Sequence, residues 1–280
     1  MAVVGGPPGN ISALFGLERG RLLDLLNSLE PTDWSRETPC PGWSVLGLVR
    51  HLVNGDLGVL SRDRDHFLGT RPPEGADESE FIEWLDELMQ AWVSATRGLS
   101  PRVTTSLLSW SGPQVVEHFA AQDQMARTTH VQWAGPEASP VWLNQVRELS
   151  EFWIHRQQLL DALDREPDLR SDVLGPVLDG LRWAYPHSLA SQTRLPGDTV
   201  TIDISGPVVA TWHLVASGQG WDFAEVTGNQ VATLAMTTDE AWRLLTNNLS
   251  PERQAALTTS GDSVLIEVLR NTRAIIGSPM

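Results

Sequence analysis

The sequence predicts an α+β fold, with a four-helix bundle over residues 1–168 followed by a smaller α+β part over residues 169–280. Three observations lead there. Long segments before residue 168 carry apolar residues at three- and four-residue steps, the period of an amphipathic helix. After Leu195-Pro196-Gly197-Asp198 the pattern shortens, turns β-branched and alternates polar with apolar, as half-buried strands require. Between the two lies Glu166-Pro167, where the character of the chain changes.

Taken in order, Met1 to Asn10 is rich in Gly and Pro and reads as a frayed arm. Ile11 to Leu29 is a first helix, with Ile11, Phe15, Leu22 and Leu26 on one face and Glu30-Pro31 ending it. In Thr38-Pro39-Cys40-Pro41-Gly42-Trp43-Ser44, two prolines and a glycine force a fixed turn. Ser44 then caps a helix expected over Val45 to Phe67. Gly69 to Ala76 is a loop, and Ser79 to Arg97 a third helix carrying Phe81, Trp84, Leu88 and Trp92 at helical spacing. A further helical stretch is read from Pro113 to Gln132. Val141 to Leu163 follows as one long amphipathic helix that no proline interrupts. Long helices joined by modest loops suggest an up-and-down bundle whose inward side chains can hold a metal. Beyond it, Asp172 to Tyr185 reads as a helix stopped by Pro186. Strands are expected at Thr199–Ile204, Val208–Val215, Gly220–Val226 and Val231–Met236. Thr237-Thr238-Asp239 offers caps for a helix over Ala241 to Leu245, and Val264 to Ile276 closes the chain as a helix.

Composition excludes several classes of function. A formal net charge of −15 opposes a phosphate backbone or an anionic membrane, so neither nucleic acid nor membrane is an expected partner. All 20 basic residues are arginine. Schiff-base chemistry on lysine, pyridoxal phosphate attachment and a lysine-bearing phosphate loop are therefore excluded. Cys40 is the single cysteine, so no intrachain disulfide forms. The N-terminal residues lack a charged, then apolar, leader pattern and no apolar run reaches spanning length; a cytoplasmic location is expected.

The chemistry-bearing stretch is Glu151-Phe152-Trp153-Ile154-His155. On a helix, Glu151 and His155 lie one turn apart on one face, where a carboxylate oxygen and an imidazole nitrogen can reach one metal ion. The same spacing also suits a plain hydrogen-bonded pair on a helix face. His51, two turns inside the second helix, would complete a three-ligand site with a position open for water or substrate; alone it reads equally as a core histidine. Arg147, one turn before Glu151, can hold an anionic substrate group or pair with a neighbouring carboxylate. Trp43 and Trp153 are near enough in sequence to the turn and the proposed ligands to wall a pocket. His118 and His130 are spare histidines, and Asp63 with His66 belongs to a charged, solvated run. Cys40 lacks an adjacent base and reads as part of the turn.

Pro39-Cys40-Pro41-Gly42-Trp43-Ser44-Val45 followed by His51-Leu52, together with Glu151-x-Trp153-x-His155 and Val131-x-Trp133-Ala134-Gly135, resembles the mycothiol-dependent maleylpyruvate isomerase family. That family belongs to the DinB-like metal-binding bundles, and its members carry a sterol-carrier-like C-terminal domain. The resemblance implies that His51, Glu151 and His155 are metal ligands, zinc being the usual ion, and that mycothiol is the cosubstrate. One position departs from the pattern: the family often has Asp three residues after the second histidine, where this chain has Gln158.

The function expected is a zinc-dependent enzyme that activates a low-molecular-weight thiol, mycothiol, for addition to an electrophilic small molecule. Isomerisation follows if the adduct eliminates, S-transfer if it persists. Two other classes fit the same residues: a metal-binding or regulatory module without catalysis, and a metal-assisted hydrolase in which the open position holds hydroxide.

Overall fold

A computed structural model describes residue 3 and residues 5–71, 73–75, 78–225 and 228–274. Val226 and residues 275–276, at the ends of the expected third strand and last helix, lie outside the described residues, as do Pro72 and Ala76 of the expected loop and Met1, Ala2 and Val4 of the arm. The fold is α+β, with contacts grouping the chain into two compact units. One comprises Ile11–Gln122 and Phe152–Pro167; the other comprises Met1–Asn10, Asp123–Glu151 and Asp168–Met280.

The first unit is helical. It contains α1 (Ile11–Asn27), α2 (Val45–Gly58), α3 (Glu78–Ala95), α4 (Pro101–Ala120) and the C-terminal half of α5 (Val141–Ala162). Helix α4 packs on α1 and α2, and α3 on α2. Phe15 joins three helices, its ring meeting Phe119 and Phe152 edge-on at 5.2 Å each. The apolar stripe of α1 is thereby buried against two partners, each aromatic contact adding about 0.5–1.5 kcal/mol to the area buried. Helix α2 stops short of Phe67: Val59–Arg64 is a π turn, and His66 at φ +57° breaks the run.

Helix α4 differs from the sequence reading at both ends. It begins at Pro101, where a missing N–H costs nothing, with Ser100 accepting a bond from the Val103 N–H. Pro113 is thus inside the helix rather than at its start. An interior proline costs roughly 3 kcal/mol; burial of Leu108, Val115 and Phe119, at about 1.5–3 kcal/mol each, outweighs it. The helix ends at Ala120 because Asp123 takes the Met125 N–H at 3.0 Å, turning the chain twelve residues before Gln132.

The second unit holds a five-stranded sheet in the order β3-β2-β1-β4-β5: β1 (Asp198–Ser205), β2 (Ala210–Ser217), β3 (Gly220–Ala224), β4 (Asn229–Thr237) and β5 (Thr258–Gly261). The β1–β4 pair is parallel and the others antiparallel. Ile202 faces Trp212 on one side and Leu234 on the other, and these residues form a buried row. Gly228 lets β4 enter beside β1: a Cβ there would lie 2.1 Å from the Gly197 carbonyl oxygen. The unit also contains α6 (Ser171–Leu181), α7 (Ala184–Leu189), α8 (Thr238–Leu245), α9 (Pro251–Ala255) and α10 (Ser263–Asn271). Thr237 and Glu240 form a reciprocal cap at the start of α8. Pro186 does not stop the helix expected before it. The helix ends at Leu181, and Pro186 sits in the first turn of α7, where its missing N–H is harmless.

Candidate metal centre

The turn before α2 fixes the site's entrance. Thr38 receives the chain back: its N–H and its hydroxyl both donate to the Trp43 carbonyl, at 3.1 and 2.8 Å. The Trp43 N–H closes on the Cys40 carbonyl at 3.1 Å. Gly42 at φ +79° takes the left-handed conformation this closure needs, which a side chain would disfavour by about 1–2 kcal/mol. Ser44 then accepts from the Gly47 N–H and starts α2. Rigidly delivered, Trp43 lies 4.8 Å from His51, ring to ring, and its indole N–H donates to Gln90 of α3 at 3.0 Å.

His51 projects from α2, and Glu151 and His155 from successive turns of α5. One ligand atom from each of the three lies within 4.8 Å of the others, and all three side chains are half-buried. Among the described residues this is the one group of histidine, cysteine and acidic side chains able to hold an ion. The rings of His51 and His155 meet edge to face at 4.8 Å. The donor set fits a borderline-soft divalent ion: two imidazole nitrogens and one carboxylate oxygen, three ligands with room for a fourth. A tetrahedral ion with bonds of about 2.0–2.2 Å needs its donors about 3.4 Å apart, and side-chain rotation closes the difference.

Behind His155 stands Gln158. The amide oxygen of Gln158 is 2.7 Å from His155 Nδ1, a contact that orients the ring. The same oxygen accepts from the Cys40 thiol at 3.1 Å. The sequence places Gln158 at a position of interest and Cys40 in a turn; spacing alone does not reveal that they touch across 118 residues.

The remaining residues singled out by sequence have other surroundings. Trp153 is wholly buried, at 0% exposure, and belongs to the packed interior of the helical unit. The Arg147 guanidinium bonds to Glu148 at 2.6 Å. His118 meets Gln122 at 3.1 Å, and burial holds its ionisation below the usual histidine range. Asp63 is taken bidentately by Arg62 on the surface. No helix among the described residues is long and apolar enough to cross a membrane.

Fold and site together define an α+β protein whose helices present a His/Glu/His donor cluster. The family model described as the mycothiol maleylpyruvate isomerase N-terminal domain matches residues 15–160, and the chain belongs to that family. The crystal structure of the mycothiol-dependent maleylpyruvate isomerase is similar in fold, with a TM-score of 0.55 at 13% identity over 89% of this chain and 91% of that one. A histidine-to-alanine mutant of that isomerase matches with a TM-score of 0.54, again at 13% identity. Comparison with curated proteins gave no significant match.

Proposed function

We propose that the protein is a zinc-dependent enzyme that activates mycothiol for addition to an electrophilic small molecule, giving isomerisation or S-transfer. The observation that carries this reading is the approach of His51, Glu151 and His155 to within 4.8 Å. Membership of a family whose description names mycothiol and an isomerase supports it further. In this reading the three residues hold the ion, which would supply the Lewis acidity that lets a thiol ionise near neutral pH. The Glu151 carboxylate would, in this reading, offset part of the ion's charge, and Gln158, its amide oxygen 2.7 Å from His155 Nδ1, would orient that ring. Trp43, stacked on His51, gives the site an apolar wall that keeps bulk water from the reacting thiol. Arg147 and Trp153 are assigned to substrate contact and to the support of that wall. All three ligands fall within residues 1–168, the part to which we assign the chemistry, with residues 169–280 as the α+β remainder. A cytoplasmic enzyme acting on small molecules, without nucleic acid or membrane, fits the acidic charge.

The test is metal content together with thiol dependence. Purified protein should hold one zinc per chain. His51→Ala and His155→Ala should each lose it while remaining helical by circular dichroism, and His118→Ala should keep it. With maleylpyruvate as the first electrophile tried, turnover should require added mycothiol. Full zinc in the His51→Ala protein would refute the ligand set. Turnover without any thiol would favour hydrolysis, and bound zinc with no turnover on a panel of electrophiles would favour a binding module.

A further inference from the structure

We infer that the outer face of α4 is a self-complementary docking surface, on which a second copy of this chain sits antiparallel across a two-fold axis beside Trp110. The inference stands apart from the metal reading above. Val103, Trp110 and Glu117 follow one another at seven-residue steps, which drift by only about 20° each on a helix and so share one face. That face points away from the packing of the helical unit. Trp110 is 57% exposed and Val103 46%, while Leu108, Val115 and Phe119 are buried where α4 packs on α1 and α2. Helix α1 continues the surface with Gly16, Leu17 and Gly20, all exposed and uncharged. A Cβ on Gly16 would lie 3.8 Å from the Val116 side chain, so the two helices run side by side here.

Charge decides what covers it. The chain carries a net −15, so most of its surface repels a second copy. Helix α3, for one, bears Glu80, Glu83, Asp86 and Glu87. In α4, by contrast, the acidic and basic residues are Glu117 and Arg102 alone, of opposite sign and both exposed, with His118 beside them. Arg102 stands in the first turn and Glu117 in the last, separated by a rise of about 22 Å. An antiparallel copy turned about the midpoint brings each Arg102 against the partner's Glu117 and the two Trp110 rings together near the axis. A parallel copy would set arginine against arginine and glutamate against glutamate. The area is sufficient as well. A surface two helices wide and as long as α4, roughly 20 by 30 Å, offers about 600 Å² per copy, so pairing covers more than about 1,000 Å² in all, enough for a specific contact. A central aromatic surrounded by few charges is the composition of an interface core.

The experiment follows the mass of the full-length protein in solution. Sedimentation velocity between about 1 and about 100 μM should show monomer passing to dimer, with a dissociation constant in the micromolar range. Trp110→Asp should weaken the dimer more than about tenfold. Its circular dichroism should match wild type, since the side chain replaced is exposed. Arg102→Glu and Glu117→Arg should each dimerise more weakly, because each sets like charges against one another at both ends of the pair. An equimolar mixture of these two variants should dimerise as wild type does, since both mismatches are repaired in the mixed pair. The double variant should do the same alone. Wild-type protein that stays monomeric at about 100 μM would overturn the proposal and leave the face to a partner of another kind. A dimer indifferent to Trp110→Asp would overturn it too, by placing the contact elsewhere. So would charge variants that stay apart when mixed, because the antiparallel register requires their rescue.

Discussion

Glu18 and Arg156 carry opposite charges inside the helical unit, with side chains 0% and 4% exposed. Two bonds of 2.5 and 2.9 Å join them, and a second buried pair, Arg19 with Asp56, is completed by the Ser111 hydroxyl. The Arg19 guanidinium also lies 4.0 Å from the centre of the Phe152 ring. Such pairs contribute little net stability, since removing two charges from water costs about what their attraction returns, but breaking one strands the survivor. Glu18→Ala should therefore lower the unfolding free energy by about 3–5 kcal/mol. Replacing both partners by methionine should recover most of that loss. Urea melts with an unchanged slope would measure it; equal stability for Glu18→Ala and wild type would show that Arg156 finds another partner. At this scale the site was half legible in the sequence. Glu151 and His155 are tied by helix geometry, which four-residue spacing encodes directly. His51 needed a partner a hundred residues away, and the family motif supplied what local spacing does not. The Cys40–Gln158 bond left no trace, because a hydrogen bond between distant side chains imposes no pattern on either segment.

The elements tell the same story through their energetics. Segments with a strong apolar period, α1, α3 and α5, end within two residues of where the sequence puts them, because burial of one face sets both their existence and their length. The strands β1, β2 and β4 are legible for the corresponding reason, period-two alternation. Strand β5 is not: Thr258-Thr259-Ser260-Gly261 is a largely exposed edge held to β4 by backbone bonds, with no apolar alternation to announce it. Prolines misled most. Read as a helix start and a helix stop, Pro113 and Pro186 both sit inside helices, one tolerated by packing and one by its first-turn position. Pro113→Ala is accordingly predicted to stabilise the protein by about 1–2 kcal/mol, less than the roughly 3 kcal/mol helix cost because proline also restrains the unfolded chain. Thermal denaturation compared with wild type checks this; a lowered melting temperature would mean that the proline bend is part of how α4 packs. In the turn before α2, Gly42→Ala should cost about 1–2 kcal/mol from its left-handed backbone. On the metal reading proposed above, zinc affinity should fall along with stability, because the turn carries Trp43 against His51.

For the molecule as a whole, the absence of lysine simplifies its alkaline behaviour. The 20 basic groups are all arginine and stay charged well past the pH at which lysines would release protons near 10.4. Tyr185 is the one tyrosine, 0% exposed, and its hydroxyl has no hydrogen-bond partner among the described residues. Burial pushes its ionisation well above the usual phenol range, and the Arg273 guanidinium opposes this only in part. The folded value being raised above the unfolded one, the sign is fixed. Below about pH 10 both states keep the proton and stability is complete; above it the unfolded chain ionises while the folded phenol does not. Stability should then fall by about 1.4 kcal/mol per pH unit until the folded value is passed. Folded protein near pH 11 should show almost no tyrosinate absorbance, and the signal should appear together with loss of tertiary structure. Tyr185→Phe should lack this alkaline slope, so that its advantage over wild type grows by about 1.4 kcal/mol between neutral pH and pH 11. A tyrosinate signal rising near pH 10 while the tertiary signal holds would mean that the phenol reaches solvent in the native state.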